Sequence, residues 1–441
     1  MSFSALGLSP KSLAALEKAG FEAPTPIQAQ AIPPLMLGKD VIGLAATGTG
    51  KTLAFVLPLL ERVVPRQGTQ ALILAPTREL AAQIEEQIEK LRHGFHLRSA
   101  LVIGGVGMGP QIQAFKAGTE IIVATPGRLN DHLDHGAAKL SAVRMLVLDE
   151  ADRMLDMGFL PQLKRILQHV PRERQSMLFS ATMAGEVATF ARANLRDPQR
   201  VEVTRSGLTS ERATQQVFLV GEEEKTALLL ALLGQDELST LVFTRTRRRA
   251  DRVGKALARG GHEVAIIHSD RSQGQRKRAL DDFKSGAVRV LVATDIAARG
   301  IDVAEIGHVV NFDLPHVPED YVHRIGRTAR ASASGRASSF ASPEEHDLLR
   351  GIESFTRKSV QRATVPREHA AFQSEVKRRA ETKRDAPQRR QAAPGRRHGS
   401  PGRRSGGGGG SGAGRGSGAG GGGGQGQPPR SVGSWKPSRR R

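Results

Sequence analysis

Residues 45–52 read AATGTGKT and close on Gly50-Lys51-Thr52, the ending of a phosphate-binding loop of the form G-x-x-x-x-G-K-[ST], with Ala45 in place of the first glycine. The flanks suit such a loop, because the apolar run DVIGLAA reads as a strand and KTLAFVLPLLERV as a helix. A turn of this kind aims backbone amides and a helix N-terminus at an anion. Lys51 adds a cation, and the Thr52 hydroxyl can be placed on Mg2+. A methyl group at position 45 is tolerated if the residue keeps a negative φ. The second half of the chemistry comes 98 residues after Lys51, where the run RMLVL ends in Asp149-Glu150. Asp149 can hold Mg2+ through water, and Glu150 can take a proton from an attacking water. Singly, the loop could be plain packing and the acid pair a helix cap. Together in one α/β unit they point to nucleoside triphosphate hydrolysis.

The elements that must position these groups alternate along the chain. DVIGLAA, QALILAPT, SALVIGG, EIIVATPG, RMLVLDEAD and RQSMLFSAT read as buried strands, and helical patterns such as RELAAQIEEQIEKLRHG, with a glycine stop, lie between them. The polar stretch 204–216 reads as a linker. Strands then resume with STLVFTRT, HEVAIIHSD, VRVLVATD, IGHVVNFD and GRASSFAS. This pattern predicts two α/β domains, each an open parallel sheet with helices on both faces and ligands at the carboxyl ends of the strands.

Charge is distributed unevenly over the 441 residues. The net charge of +21 divides into +7 for residues 1–370 and +14 for residues 371–441, which also hold 19 of the 49 glycines. Such a segment cannot bury enough apolar surface to offset its chain entropy, so it reads as a disordered tail. Its arginines suit a polyanion, with simple solubilisation as the alternative role. Cysteine is absent, which excludes disulfides and thiolate metal sites. The N-terminus has no secretory pattern, and the most apolar run, LAFVLPLL, is too short to span a bilayer. A cytoplasmic protein with no membrane partner is expected.

The motif DEAD at 149–152 and its companions resemble the DEAD-box ATP-dependent RNA helicases over residues 3 to about 360. That family's phosphate loop reads A-x-T-G-x-G-K-T, so the resemblance accounts for Ala45. It implies two tandem RecA-like domains: a Q motif in 1–29, an ATP-binding domain over 30–205, a linker at 206–213, a second domain over 214–370 and a tail over 371–441. ATP and Mg2+ are the implied ligands. Phe3, Gln28, Ala46, Thr47, Gly48, Thr49, Gly50, Lys51, Thr52 and Asp302 would hold the nucleotide, with Thr52 and Asp149 on the metal. Lys51, Asp149, Glu150 and the arginine fingers Arg327 and Arg330 of HRIGRTAR would be catalytic. Asp152, Ser180, Thr182 and His323 would couple the two activities, with His323 and Arg324 holding the closed interface. The implied RNA track runs through Pro76, Thr77, Arg78, Gly105, Thr125, Pro126, Arg128, Gln273, Arg276 and Thr294. Contacts of this kind position a strand without reading its sequence.

Ala329, Ser269 with Arg271, and Asn130 depart from the family pattern, and none of them removes a catalytic group. The resemblance implies an RNA-dependent ATPase acting on single-stranded RNA and short duplexes, in settings such as ribosomal precursors or RNA-decay complexes. Two other classes use the same parts: a non-catalytic RNA clamp or annealing protein switched by ATP, and a processive DNA translocase. Intact Lys51, Asp149, Glu150, Arg327 and Arg330 argue against the first, and DEAD with PTPIQ against the second.

Overall fold

Every strand expected from an apolar run is present in the computed structural model, which describes residues 2–45, 48–183, 185–203, 213–298, 306–328 and 335–385. The first sheet contains β1 (Val41–Leu44), β2 (Ala71–Leu74), β3 (Ser99–Val102), β4 (Ile121–Ala124), β5 (Met145–Leu148), β6 (Gln175–Ser180) and β7 (Gln199–Glu202). The second contains β8 (Ala213–Leu219), β9 (Thr240–Thr244), β10 (Val264–Ile267), β11 (Val290–Thr294), β12 (His308–Asn311), β13 (Gly335–Ala341) and β14 (Gln361–Ala363). All pairings are parallel. The first order is β3-β4-β2-β5-β6-β1-β7, and the second, β10-β11-β9-β12-β13-β8-β14, is the same order with every strand advanced by seven. The chain is thus two copies of one RecA-like architecture within a unit that ends at Asp385.

The first lobe carries α1 (Pro10–Lys18), α2 (Pro26–Met36), α3 (Lys51–Arg62), α4 (Arg78–Leu91), α5 (Met108–Lys116), α6 (Pro126–Asp134), α7 (Ala151–Asp156), α8 (Leu160–Gln168) and α9 (Gly185–Asn194). The second carries α10 (Lys225–Leu233), α11 (Arg247–Arg259), α12 (Gln273–Lys284), α13 (Asp295–Ala298), α14 (Pro318–Ile325), α15 (His346–Thr356) and α16 (Ala370–Asp385). Side chains alternate along a strand, so a strand covered on both faces is apolar throughout. Ile73, Val147 and Phe179 enter the core under α2, α3 and α4, whereas Leu72, Leu146 and Leu178 enter the opposite core with Leu129, Met154 and Ile166. No helix among the described residues is long and apolar enough to cross a membrane.

Four details differ from expectation, each for a physical reason. β7 and β14 are edge strands of largely exposed polar residues, so they carry no apolar run to mark them. Residues 204–212 of the expected linker lie outside the described residues, but Ala213–Gln216 of that polar stretch already belong to β8. The end of α4 is set at Leu91 by a following 3-10 turn, and the left-handed residue is His96, at φ 54°, with no glycine stop at the helix end.

The fourth detail moves the boundary of the tail. Residues 371–385 were expected to be disordered but continue α16, which packs on α10 with Phe372 buried in the second-lobe core. α10 itself, KTALLLALL, is buried at every residue and needs a cover on its outer side. The remaining tail, from Ala386, lies outside the described residues. Phe372→Ala is expected to destabilise the protein by about 3 kcal/mol through the cavity it leaves. Urea denaturation of the full chain checks this.

Candidate functional site

The phosphate loop leaves β1 at Leu44, and the Ala45 amide bonds to the Ser180 carbonyl at 3.0 Å. Ala45 is not among the residues with positive φ, which explains why a methyl group fits there. Gly50 caps α3 at φ 87°, and a Cβ on it would stand 2.4 Å from Gln28 Nε2. Gln28 spans two elements: its Oε1 accepts from the Thr25 amide in a capping box on α2, and its Nε2 donates to the Gly50 carbonyl at 2.9 Å. The Q-motif glutamine therefore shapes the loop from behind. Phe3 is buried in the core beside Leu6. Lys51 opens α3 and is buried, with no hydrogen-bond partner for Nζ among the described residues. Gly48 and Thr49 lie in the preceding turn, and Thr52 is half-buried on the first turn of α3. A buried, unpaired ammonium at a helix N-terminus fits an anionic phosphate. Ala46 and Thr47 lie outside the described residues.

β5 ends at Leu148, and the Asp149 amide bonds to Leu74 O at 3.0 Å, which anchors the acid pair to β2. Asp149 is fully buried, and burial pushes its carboxyl up to about 6, with the nearby Lys51 charge opposing. Glu150 caps α7 in the left-handed region at φ 51°, donates its amide to Asp149 Oδ1 at 3.0 Å, and pairs with Arg153 at 3.5 Å. One turn on, Asp152 Oδ2 accepts the amides of Ala181 and Thr182 at 2.9 and 3.1 Å. Ser180 Oγ donates to the Thr182 carbonyl at 2.6 Å. Because β6 lies between β5 and β1, this carboxylate ties the acid motif to the turn that also receives the phosphate-loop strand. Among the described residues no three His, Asp or Glu side chains converge, so a metal here would need oxygens from its ligand as well as Asp149 and Thr52.

From the second lobe, His323 on α14 and Arg327, two residues past its end, come against Arg153. Together with Phe243, Asp295, Asp320 and Arg324 these line one cavity. Arg327 is buried. Arg324 does not hold the interface between lobes as expected. It makes two 2.6 Å bonds to Asp295, donates to Asn311 Oδ1 at 3.0 Å and to Asp313 O at 2.7 Å, and stacks 5.0 Å over Phe243, all within its own lobe. Its role is to fix α14 to the ends of β11 and β12. Asp302 and Arg330 lie outside the described residues.

The proposed track falls where the strand ends place it. Thr77 caps α4 by accepting from the Leu80 amide at 3.2 Å, behind the buried Pro76. Arg78 lies over Gly105, whose φ of 82° and close guanidinium, 2.2 Å from where a Cβ would stand, exclude a side chain. Thr125 and Pro126 start α6, and Arg128 Nη1 donates to Val106 O at 2.9 Å. Gln273 opens α12, and Thr294 ends β11 beside Thr244. Burial and then Arg276 push the Arg78 guanidinium below its ordinary value, with Arg128 adding to the effect and Glu79 opposing it. Three arginines from two lobes thus converge. Arg276, expected on RNA, is paired with Glu79 at 2.6 Å across the lobes. Asn130 donates to the Pro126 and Gln162 carbonyls at 2.8 and 3.2 Å, a fit for its departure from an apolar residue.

Arg153, Asp295 and Glu79 carry roles that the sequence reading did not assign, although each lies inside or beside a quoted motif. Burial first, then Arg153, pushes the His323 imidazole down from 6.5 to about 4. A depressed value favours the neutral ring in the folded state. Its contribution to stability is therefore complete above pH 6.5 and is lost as pH falls from there through about 4. His323→Gln is expected to lose about 2 kcal/mol less stability than the wild type between pH 6.5 and 4.5 in urea denaturation.

The DEAD/DEAH box helicase family matches residues 25–190, and the helicase conserved C-terminal domain matches residues 224–332. The DEAD-box ATP-dependent RNA helicase CshA of Geobacillus kaustophilus is 45% identical over 366 residues, which cover 82% of this chain and 78% of that protein. The ATP-dependent RNA helicase CshA of Limosilactobacillus reuteri is 43% identical over 378 residues, 85% of this chain and 76% of the relative. In fold the chain is similar to S. cerevisiae Dbp5 bound to RNA and ADP BeF3, with a TM-score of 0.75 and 32% identity over 85% of this chain and 99% of that one. With the phosphate loop, the acid motif, Arg324 and Arg327 arranged as described, the chain belongs to the DEAD-box ATP-dependent RNA helicases.

Proposed function

We propose that the protein is an RNA-dependent ATPase whose two lobes close on single-stranded RNA when ATP binds and reopen after hydrolysis, separating short duplexes locally or remodelling RNA–protein complexes. The observation that carries this reading is the cavity where Arg153, beside the acid pair of one lobe, meets His323 and Arg327 of the other. A cation delivered from the opposite lobe makes catalysis depend on closure. Lys51 and the N-terminus of α3 would receive the phosphates, and Thr52 and Asp149 would hold Mg2+, which neutralises phosphate charge when bound. Glu150 takes the proton of the attacking water. Asp152, through the Ala181 and Thr182 amides, carries a shift at the phosphates to the turn after β6. The RNA backbone is taken by Arg78, Arg128 and the strand-end turns. Arg276 exchanges Glu79 for phosphate or keeps it as a latch between the lobes.

Domains at 30–205 and 214–370, with the Q motif before them and α16 added after, accommodate this cycle. The similarity to bacterial relatives supports a cytoplasmic setting on ribosomal precursors or RNA-decay complexes. In steady-state assays, RNA and not matched DNA is expected to stimulate ATP hydrolysis. Glu150→Gln should lower the stimulated rate by at least about 100-fold and Arg327→Ala by about 1000-fold. RNA binding with a non-hydrolysable ATP analogue should survive Glu150→Gln. A rate indifferent to RNA and to Glu150 would leave the clamp as the correct reading.

A further inference from the structure

The repetition of one architecture supplies an internal comparison. β2 and β9 hold the same place in their sheets, and the helices after them, α4 and α11, open with the same cap: Thr77 accepts from the Leu80 amide and Thr246 from the Arg249 amide, both at 3.2 Å. Their outer faces differ. α4 carries Glu85, Glu86 and Glu89, and the cations at its end are paired, Lys90 with Glu86 at 2.8 Å and Arg92 with Glu89 at 2.7 Å. α11 exposes Arg248, Arg252, Lys255 and Arg259. Spacings of four, three and four put them in one stripe about 16 Å long at 1.5 Å per residue.

None of these four has an acidic partner among the described residues. The other charges of α11 are all committed. Arg247 pairs with Asp270, Arg249 with Glu222 and Asp313, and Asp251 with His268 and Arg271. Four like charges three and four apart disfavour a helix, so the stripe does not serve folding. Val253, Ala256 and Leu257 on the buried face hold the helix in place.

The position of the stripe suggests its use. α11 begins at the carboxyl end of β9, where Thr244 pairs with the track residue Thr294, and runs away from that edge. α10, which packs against both α11 and α16, separates the stripe from the helix that leads to the arginine-rich terminus. We propose that the outer face of α11 is a second phosphate-binding surface, which takes the double-helical segment adjoining the single strand in the track. This rests on the RNA reading above. α11 has no aromatic ring on which unpaired bases could stack, so this face offers contacts to a phosphate backbone alone. An acidic protein would need an apolar centre, and no large exposed apolar side chain lies on α11. A row of cations without either suits a duplex backbone recognised by charge and shape.

The test uses the full chain with a non-hydrolysable ATP analogue and three probes: a single-stranded RNA, the same strand joined to a blunt duplex, and polyglutamate. The comparison is between the wild type and the quadruple variant Arg248→Ala, Arg252→Ala, Lys255→Ala, Arg259→Ala. The variant should lose at least about tenfold in affinity for the duplex-joined probe and flatten its log-affinity against log-salt slope by about 3. Single-strand binding and RNA-stimulated hydrolysis should stay within about twofold of the wild type, and exchanging arginine and lysine at all four positions should preserve duplex binding. Unchanged duplex binding in the alanine variant, or an equal loss for both RNA probes, would overturn the proposal. So would a loss confined to polyglutamate, which would assign the face to an acidic protein. Failure of the wild type to bind either RNA probe would instead overturn the RNA reading, and this inference with it.

Discussion

An ammonium and a carboxylate are both buried at the carboxyl edge of the first sheet, where taking a charge out of water is costly. Lys51 Nζ has no hydrogen-bond partner among the described residues, and Asp149 is pushed up to about 6 by burial. Charges in this condition cost stability, and only a rigid surround keeps them in place. The sheet supplies it. Strands β5, β6 and β1 are buried on both faces and paired without interruption, so the turns that follow them have fixed neighbours. The strain at Glu150, left-handed without being glycine, sits in the same place.

From this centre, short contacts reach the neighbouring turns. Asp152 holds two backbone amides after β6, Gln28 holds the carbonyl of the loop's last glycine, and Arg153 links Glu150 to the side where α14 arrives. In the second lobe Arg324 performs the corresponding static task. It satisfies Asp295 and two groups at the end of β12, so that α14, which carries His323 and leads directly to Arg327, is held in a fixed orientation. Arg276 and Glu79 then meet across the lobes, with burial raising the Glu79 carboxyl and the Arg276 charge opposing it.

Buried charge is handled in two ways in this molecule. Lys225, wholly inside the second lobe, has Glu345 at 2.5 Å, Glu222 at 3.1 Å and Asp313 at 3.8 Å, and Arg245 and Arg249 complete the network. This cluster is compensated by the protein and holds the start of α10 to the ends of β12 and β13. Lys51 is the opposite case, a buried cation with no hydrogen-bond partner for Nζ among the described residues.

Much of the site was legible because its motifs are local. A strand, a glycine turn and a helix start place Lys51 and Thr52 from contiguous residues, and RMLVLDEAD places Asp149 and Glu150 in the same way. The apolar runs located the central strands, since a doubly covered strand must be apolar throughout. Edge strands β7 and β14, and the docking of α16 through Phe372, were not legible, because exposed polar residues carry no period and a basic helix resembles a basic tail until its partner is known. The sequence by itself thus determined two lobes of alternating strands and helices and the places of the phosphate-loop and acidic motifs at their strand ends. Only the tertiary structure decided that Arg324 faces inward, that Arg276 pairs with Glu79, and that Arg248, Arg252, Lys255 and Arg259 of α11 have no acidic partner among the described residues. The physical reason is that pairing and burial depend on which elements meet across the sheets, and local spacing does not encode those meetings.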